Sequence, residues 1–124
     1  MRFMIIRKSD MATEAGAQPR PELQLALSKY TTELARAGVL LASEWLHPST
    51  RGARLKFWDG KPELVPGPFA NATELMASFA LIQARSQEEA IEWARRWPAI
   101  DGGGELEIDV RQVRGGIQAA PSGW

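Results

Sequence analysis

Apolar residues recur along this chain with two different periods, and these predict four main strands and two helices. Short apolar or alternating runs are typical of strands, and they cover residues 3–7, 39–46, 75–84 and 105–111. Apolar residues at helical spacing follow Pro21 as far as Gly38, and follow Ser86 as far as Pro98. Residues 9–20 and 101–104 have the composition of loops.

Two local motifs refine this assignment. Asp59-Gly60 lies between short apolar runs and is typical of a two-residue hairpin turn. The sequence from Ser86 to Glu89 has the capping-box pattern, in which a hydroxyl and a carboxylate pair with free amides at the start of a helix. The predicted order is therefore β-α-β-(hairpin)-β-α-β.

This order predicts an α+β domain of the ferredoxin-like βαββαβ type with an inserted hairpin, in which both helices lie on one face of an antiparallel sheet. The first strand is apolar on both faces, with Phe3 and Ile5 opposite Met4 and Ile6, and the third main strand is similar. Antiparallel sheets usually have one solvated face. We therefore expect a second copy of the chain to cover the face away from the helices, which predicts a homodimer.

Composition narrows the functional classes. The 124 residues are enough for one domain, and 15 basic against 15 acidic residues leave no positive surface for nucleic acid. The absence of cysteine excludes disulfides and thiolate sites, and a single histidine excludes sites that need two imidazoles from one chain. We expect no membrane association and a cytoplasmic location. Residues 1–113 are predicted to form the domain, and residues 114–124, rich in Gly, Ala and Ser, a flexible tail.

Several blocks resemble the YCII-related family, in the branch named for an Asp-Gly-Pro-Phe motif. The matching blocks are AGVLLA at 37–42, LHPS at 46–49, GAR at 52–54, GPF at 67–69, EEAIEWA at 88–94, EI at 107–108 and RQV at 111–113. The resemblance implies a dimeric α+β barrel in which two sheets face each other around a cleft.

The chain departs from the family's motif at several positions. Pro66 stands where the motif has Asp, and only Glu74 remains of the charged residues that usually follow. Studied members of the wider family pair a histidine on the first helix with an aspartate, and that helix has no histidine here.

His47 is the candidate catalytic residue, because imidazole is the side chain whose ordinary pKa suits proton transfer near neutral pH. A carboxylate would have to orient it, and the candidates are Glu44, Glu107 and Asp109. The simpler interpretation is a turn histidine before Pro48, since a lone histidine lacks the partners of a catalytic site.

Four residues are candidate ligand contacts: Ser49, Arg54, Trp45 and Asp109. Ser49 and Arg54 could bind a small anion near His47, because guanidinium forms bidentate contacts with carboxylates. Trp45 could fill the cleft of the dimer, and Asp109 could line it. Each also has an ordinary interpretation as a surface or strand residue.

Two functions follow. The first is a dimeric module that binds a small ligand or has a structural role, which the loss of the motif's charged residues favours. The second is a small lyase or hydrolase in which His47 moves a proton on an anionic substrate. Neither requires a cofactor, and we expect no metal site, because too few ligating side chains cluster along the sequence.

Overall fold

The computed structural model describes residues 1–115 and has the predicted order of strands and longer helices. Its strands are β1 (Arg2–Lys8), β2 (Leu40–Trp45), β3 (Ala53–Trp58), β4 (Lys61–Pro66), β5 (Met76–Gln83) and β6 (Ile108–Gln112). Its helices are α1 (Met11–Glu14), α2 (Pro21–Arg36) and α3 (Gln87–Arg95), and 3-10 turns lie at Ser49–Arg51, Ala72–Glu74 and Asp101–Gly104. Most of the predicted tail, 116–124, lies outside the described residues.

The four main strands form one antiparallel sheet in the order β2-β5-β1-β6. This is the ferredoxin-like arrangement, and it confirms the predicted fold class, with β1 and β5 at the centre. Both longer helices pack on one face of the sheet. The buried side chains of the central strands lie in phase on that face. The core consists of Phe3, Ile5, Tyr30, Leu34, Ala80, Ile82, Ala84 and Ala90.

The opposite face of the sheet, which we call the open face, is apolar at its centre. Cross-strand register places Met4 beside Leu81 and Ile6 beside Phe79. All four side chains are half-buried although no element of residues 1–115 packs over them as the helices do on the other face. The predicted apolar character of both faces is therefore confirmed, while the dimer that would cover the open face stays a prediction.

The inserted hairpin is a separate two-stranded ribbon of β3 and β4. Asp59 and Gly60 have positive φ angles of 51° and 75°, as the primed turns of tight hairpins require. Every residue of the ribbon except Val65 is exposed. The hairpin prediction is confirmed, and the ribbon projects from the domain.

Three local predictions need correction. The segment predicted as a polar loop contains α1, whose first turn is capped by Asp10 through the Thr13 amide at 2.7 Å. The hydroxyl of Ser86 accepts from the Glu89 amide as expected, but the Glu89 carboxylate accepts from the amide of Arg85 instead of closing the capping box. The predicted flexible connector at 101–104 is instead a turn that begins with a buried aspartate and in which Gly102 and Gly103 have positive φ angles of 66° and 69°.

None of the helices described in residues 1–115 combines the length and the apolar character needed to cross a bilayer.

Candidate functional site

A buried ion pair lies at the end of β1. Arg7 donates from Nε to Oδ2 of Asp101 at 3.0 Å and from Nη2 to Oδ1 at 2.6 Å. The side chains are 3% and 2% exposed, respectively. Two parallel hydrogen bonds fix the orientation of both groups, as is typical of arginine–carboxylate pairs. The 3-10 turn after α3 is therefore attached to the centre of the sheet.

Further donors complete the environment of this pair. Burial alone would raise the pKa of Asp101, but the hydrogen bonds from Arg7 and from Nε1 of Trp97, at 2.8 Å, outweigh burial and hold that pKa below its usual value. The hydrogen bond to Asp101 raises the pKa of Arg7. Both groups are therefore charged near neutral pH, and Asp10 at 3.3 Å adds a second carboxylate to the guanidinium.

An aromatic group adjoins the ion pair on the helix side of the sheet. The ring of Trp97 lies 5.3 Å from Tyr30 and 6.3 Å from Trp45. Burial raises the pKa of Tyr30 to about 12, and its hydroxyl donates to the Trp93 carbonyl at 2.8 Å.

Trp45 therefore does not lie where the sequence analysis placed it. It pairs across the sheet with Ser78, whose side chain shares the helix-side face with Arg7. The predicted position in a cleft between two open faces is wrong, because strand alternation fixes which residues share a face but does not say which face carries the helices. The ring remains 44% exposed and available for contact.

Beside the ion pair is a cleft of about 470 Å³, which we call the β1 cleft. It is lined by Lys8, Ser9, Asp10, Thr73, Glu105, Leu106 and Glu107. Asp10 connects it to the ion pair through Arg7. Ser9 is one of these lining residues, and its hydroxyl is buried and has no hydrogen-bond partner among residues 1–115. Its volume lies within the range of small-molecule sites.

Ser49 and Arg54 come together around a residue that the sequence analysis did not use for binding. The Ser49 hydroxyl accepts from the Phe69 amide at 2.9 Å, and the Arg54 guanidinium lies 4.2 Å from the centre of the Phe69 ring. The carboxylate of Glu14 accepts hydrogen bonds from both the amide and the hydroxyl of Ser49. Because the amide and the hydroxyl of Ser49 already donate to Glu14 of the same chain, this arrangement holds α1 against the loop after β2.

His47 and Asp109 lie apart from these groups. His47 is exposed, and its ring nitrogens face the Arg51 guanidinium at 2.9 and 3.2 Å. Within residues 1–115 none of the three carboxylates proposed to orient His47 pairs with it. Asp109 lies on the open face, where it pairs with Ile6 in register and with Lys8 through an ion pair of 3.7 Å.

The sequence analysis missed Arg7 and Asp101. A signal for Arg7 was present, because it lies in phase with Phe3 and Ile5 on a central strand, and a buried charge in such a position requires a partner. Nothing local indicated Asp101, which precedes three glycines and is 94 positions away along the chain.

In the part of the chain that the structure describes, no three His, Asp or Glu side chains form a group able to hold a metal ion. The absence of a metal site in the protein stays a prediction.

The sequence pattern of the YCII-related domain matches residues 1–114. The chain belongs to the YCII-related family. Membership of the branch with the Asp-Gly-Pro-Phe motif stays a prediction. A search of curated proteins found no match for this YCII-related chain.

Among solved structures, one match is the 5-chloro-2-hydroxyhydroquinone dehydrochlorinase of Burkholderia phenoliruptrix AC1100 in complex with 2,5-dihydroxybenzoquinone. It is 18% identical, with coverage of 94% of this chain and 96% of that chain and a TM-score of 0.41. A likeness of this degree carries no argument about the chemistry of the YCII-related chain described here.

Proposed function

We propose that this YCII-related domain binds a small polar molecule with a cationic group in the β1 cleft, and that it does so as a homodimer. The observation that carries the proposal is the cleft itself, which adjoins a rigid buried ion pair and is lined mainly by polar side chains. Binding sites of this kind are concave and place a few polar groups on a rigid scaffold.

The charges of the β1 cleft favour a cationic group. Glu105 and Glu107 both line the cleft. Both are exposed, and neither forms an ion pair within residues 1–115. Lys8 is partly neutralised by Asp109, and Asp10 by Arg7. The uncommitted charge at the mouth of the cleft is therefore negative.

The wall of the cleft offers a further polar contact. Thr73 lies at the surface of the cleft, and the buried Ser9 hydroxyl has neither donor nor acceptor among the described residues. A buried hydroxyl without a partner costs about 1–3 kcal/mol. A ligand that hydrogen-bonds to this wall after a small side-chain movement would recover part of that free energy.

The homodimer is supported by the open face. Met4, Ile6, Phe79 and Leu81 form its apolar centre. Packing against a second sheet would remove this area from water, and each Å² of apolar surface buried stabilises by about 25 cal/mol. Proton transfer by His47 has less support, since Arg51 rather than a carboxylate faces its ring.

A thermal-shift screen with small amines, guanidines and carboxylates tests the ligand class, because a bound ligand raises stability by mass action. We expect cationic compounds to raise the melting temperature. Glu107→Gln should weaken a compound so found about tenfold, equivalent to about 1.4 kcal/mol. Glu92→Gln is the matched control, since Glu92 is an exposed glutamate paired with Arg95 on α3. Equal affinity for both variants, or a preference for carboxylates, would contradict the proposal.

A further inference from the structure

The ribbon of β3 and β4 separates apolar from polar residues between its two faces. One face, which we call the apolar ribbon face, consists of the cross-strand pairs Ala53–Pro66, Leu55–Leu64 and Phe57–Pro62. The other face consists of Arg54–Val65, Lys56–Glu63 and Trp58–Lys61. Such alternation is typical of a strand pair with one buried face.

The apolar ribbon face is nevertheless exposed. Leu55, Phe57 and Leu64 expose 57%, 67% and 65% of their surface, respectively. The ribbon is attached mainly at its base, where the Gly67 amide donates to the Gly52 carbonyl at 3.1 Å and Arg54 lies over Phe69. An isolated two-stranded ribbon is marginally stable in water. A face with this pattern therefore requires a surface to pack on.

We propose that the apolar ribbon face packs on a second copy of this chain, as an arm that extends the contact of the open faces. This rests on the homodimer of the proposed function but not on its ligand. The chain offers a second uncovered apolar surface, the open face, so a two-fold symmetric pair can cover both kinds of surface without another partner.

The areas agree with a dimer of ordinary size. Three large side chains exposed by more than half, with two prolines and an alanine beside them, give an apolar patch on the order of 400 Å², and the largest apolar patch on a monomer is of this size and is often functional. Two such arms, each burying a similar area on the partner, total about 1,600 Å². That is the standard size of a specific interface, before any contact between the open faces is added.

Sedimentation velocity with matched variants tests the arm. Protein concentrations of about 1–100 µM cover the order of magnitude of ordinary dimer affinities. The double variant Leu55→Glu/Leu64→Glu should weaken dimerisation at least a hundredfold. Trp58→Glu is the control, because Trp58 is 83% exposed on the opposite face of the same strand. It should leave the dimer intact. Both changes lie on an exposed ribbon, and the thermal unfolding of each variant checks that the domain still folds.

The variant Met4→Glu separates the arm from the dimer as a whole. Met4 lies on the open face opposite Arg111, which can accommodate the new carboxylate. If Met4→Glu dissociates the dimer and the double ribbon variant does not, the dimer stands and the arm is overturned. If wild type is a monomer throughout, both are overturned, while ligand binding in the β1 cleft is tested separately. Dissociation by Trp58→Glu as well would contradict the assignment to one face.

Discussion

The buried ion pair of Arg7 and Asp101, which we call the corner, and the β3–β4 ribbon both depart from the usual rule that charged residues are exposed and apolar residues are buried. They depart from it in opposite directions. The corner buries a full ion pair at 2–3% exposure, whereas the ribbon exposes two leucines and a phenylalanine by more than half. The buried charges find every partner within the chain: two hydrogen bonds between them and a third from Trp97. The exposed apolar residues pair only with one another across the ribbon, and their side chains stay more than half exposed.

This difference indicates which contacts stabilise each region. The corner is complete in one chain, so changing it should alter the free energy of unfolding of the monomer. In the proposed dimer the ribbon is completed by a second chain, so changing its apolar face should alter association and leave monomer stability almost unchanged. The predictions below test this contrast, from the largest expected effect on unfolding to the smallest.

Asp101→Ala should have the largest effect. It leaves the Arg7 guanidinium buried with only Asp10 and the Lys8 carbonyl as partners, and removing one partner of a buried pair costs about 3–5 kcal/mol. Urea unfolding of the variant measures this loss. The double variant Arg7→Met/Asp101→Leu should recover much of it, since no unpaired charge remains. A loss below about 1 kcal/mol for Asp101→Ala would show that the corner does not stabilise the fold.

Gly67→Ala tests the joint between the ribbon and the domain. An added Cβ at Gly67 would overlap the carbonyl oxygen of Ser49, so the backbone would have to move. Overpacking of this kind costs about 1–3 kcal/mol. Gly52→Ala is the matched control, because its Cβ would meet the same carbonyl oxygen at 3.4 Å, an ordinary contact. Equal stability of the two variants in urea would mean that the joint is loose.

The stability of the corner should depend on pH in the acid range. The pKa of Asp101 is lower in the folded chain than the ordinary value of about 3.9, so below about pH 4 the unfolded chain binds more protons. The contribution of this carboxylate is therefore complete above about pH 5 and is lost as pH falls through the folded pKa. The difference in unfolding free energy between wild type and Asp101→Asn should shrink over that interval. A difference that stays constant to pH 2 would contradict the assignment.

Leu64→Ala should have the smallest effect on the monomer. Its side chain is 65% exposed, and surface changes away from special features usually stay within about 0.5 kcal/mol. Leu34→Ala is the comparison, because Leu34 is 1% exposed in the core and such changes cost about 2–5 kcal/mol. The measurement requires protein concentrations below the dissociation constant of the proposed dimer. Similar losses at both positions would mean that the ribbon packs within its own chain.

The sequence predicted the elements well because their signals are local. Hydrophobic period, the Asp59-Gly60 turn and the Ser86 cap each act within a few residues, and the structure has all three. The candidate site was harder, because it depends on which segments meet. Asp101 resembles part of a glycine linker until the fold brings it to Arg7. Trp45 was given the correct strand but the wrong face.

The site residues taken from the sequence also clustered less than expected. Ser49 and Arg54 meet at Phe69, whereas His47, Trp45 and Asp109 lie in three other surroundings. Proximity along the chain suggested that His47 and Ser49 act together. In the structure Ser49 donates a hydrogen bond to Glu14, and the ring of His47 faces the guanidinium of Arg51.

The most direct test of the β1 cleft as the binding site is an amide-resolved NMR titration of the protein with a cationic compound from the thermal-shift screen. We predict that the largest chemical-shift changes fall on Lys8, Ser9 and Thr73 and on residues 105–107, which line the cleft. The same titration of Glu107→Gln should require about tenfold more compound, or about 1.4 kcal/mol. Changes centred instead on Trp45, His47 and Arg54, with the cleft amides unmoved, would contradict the account and return the site to the loop after β2.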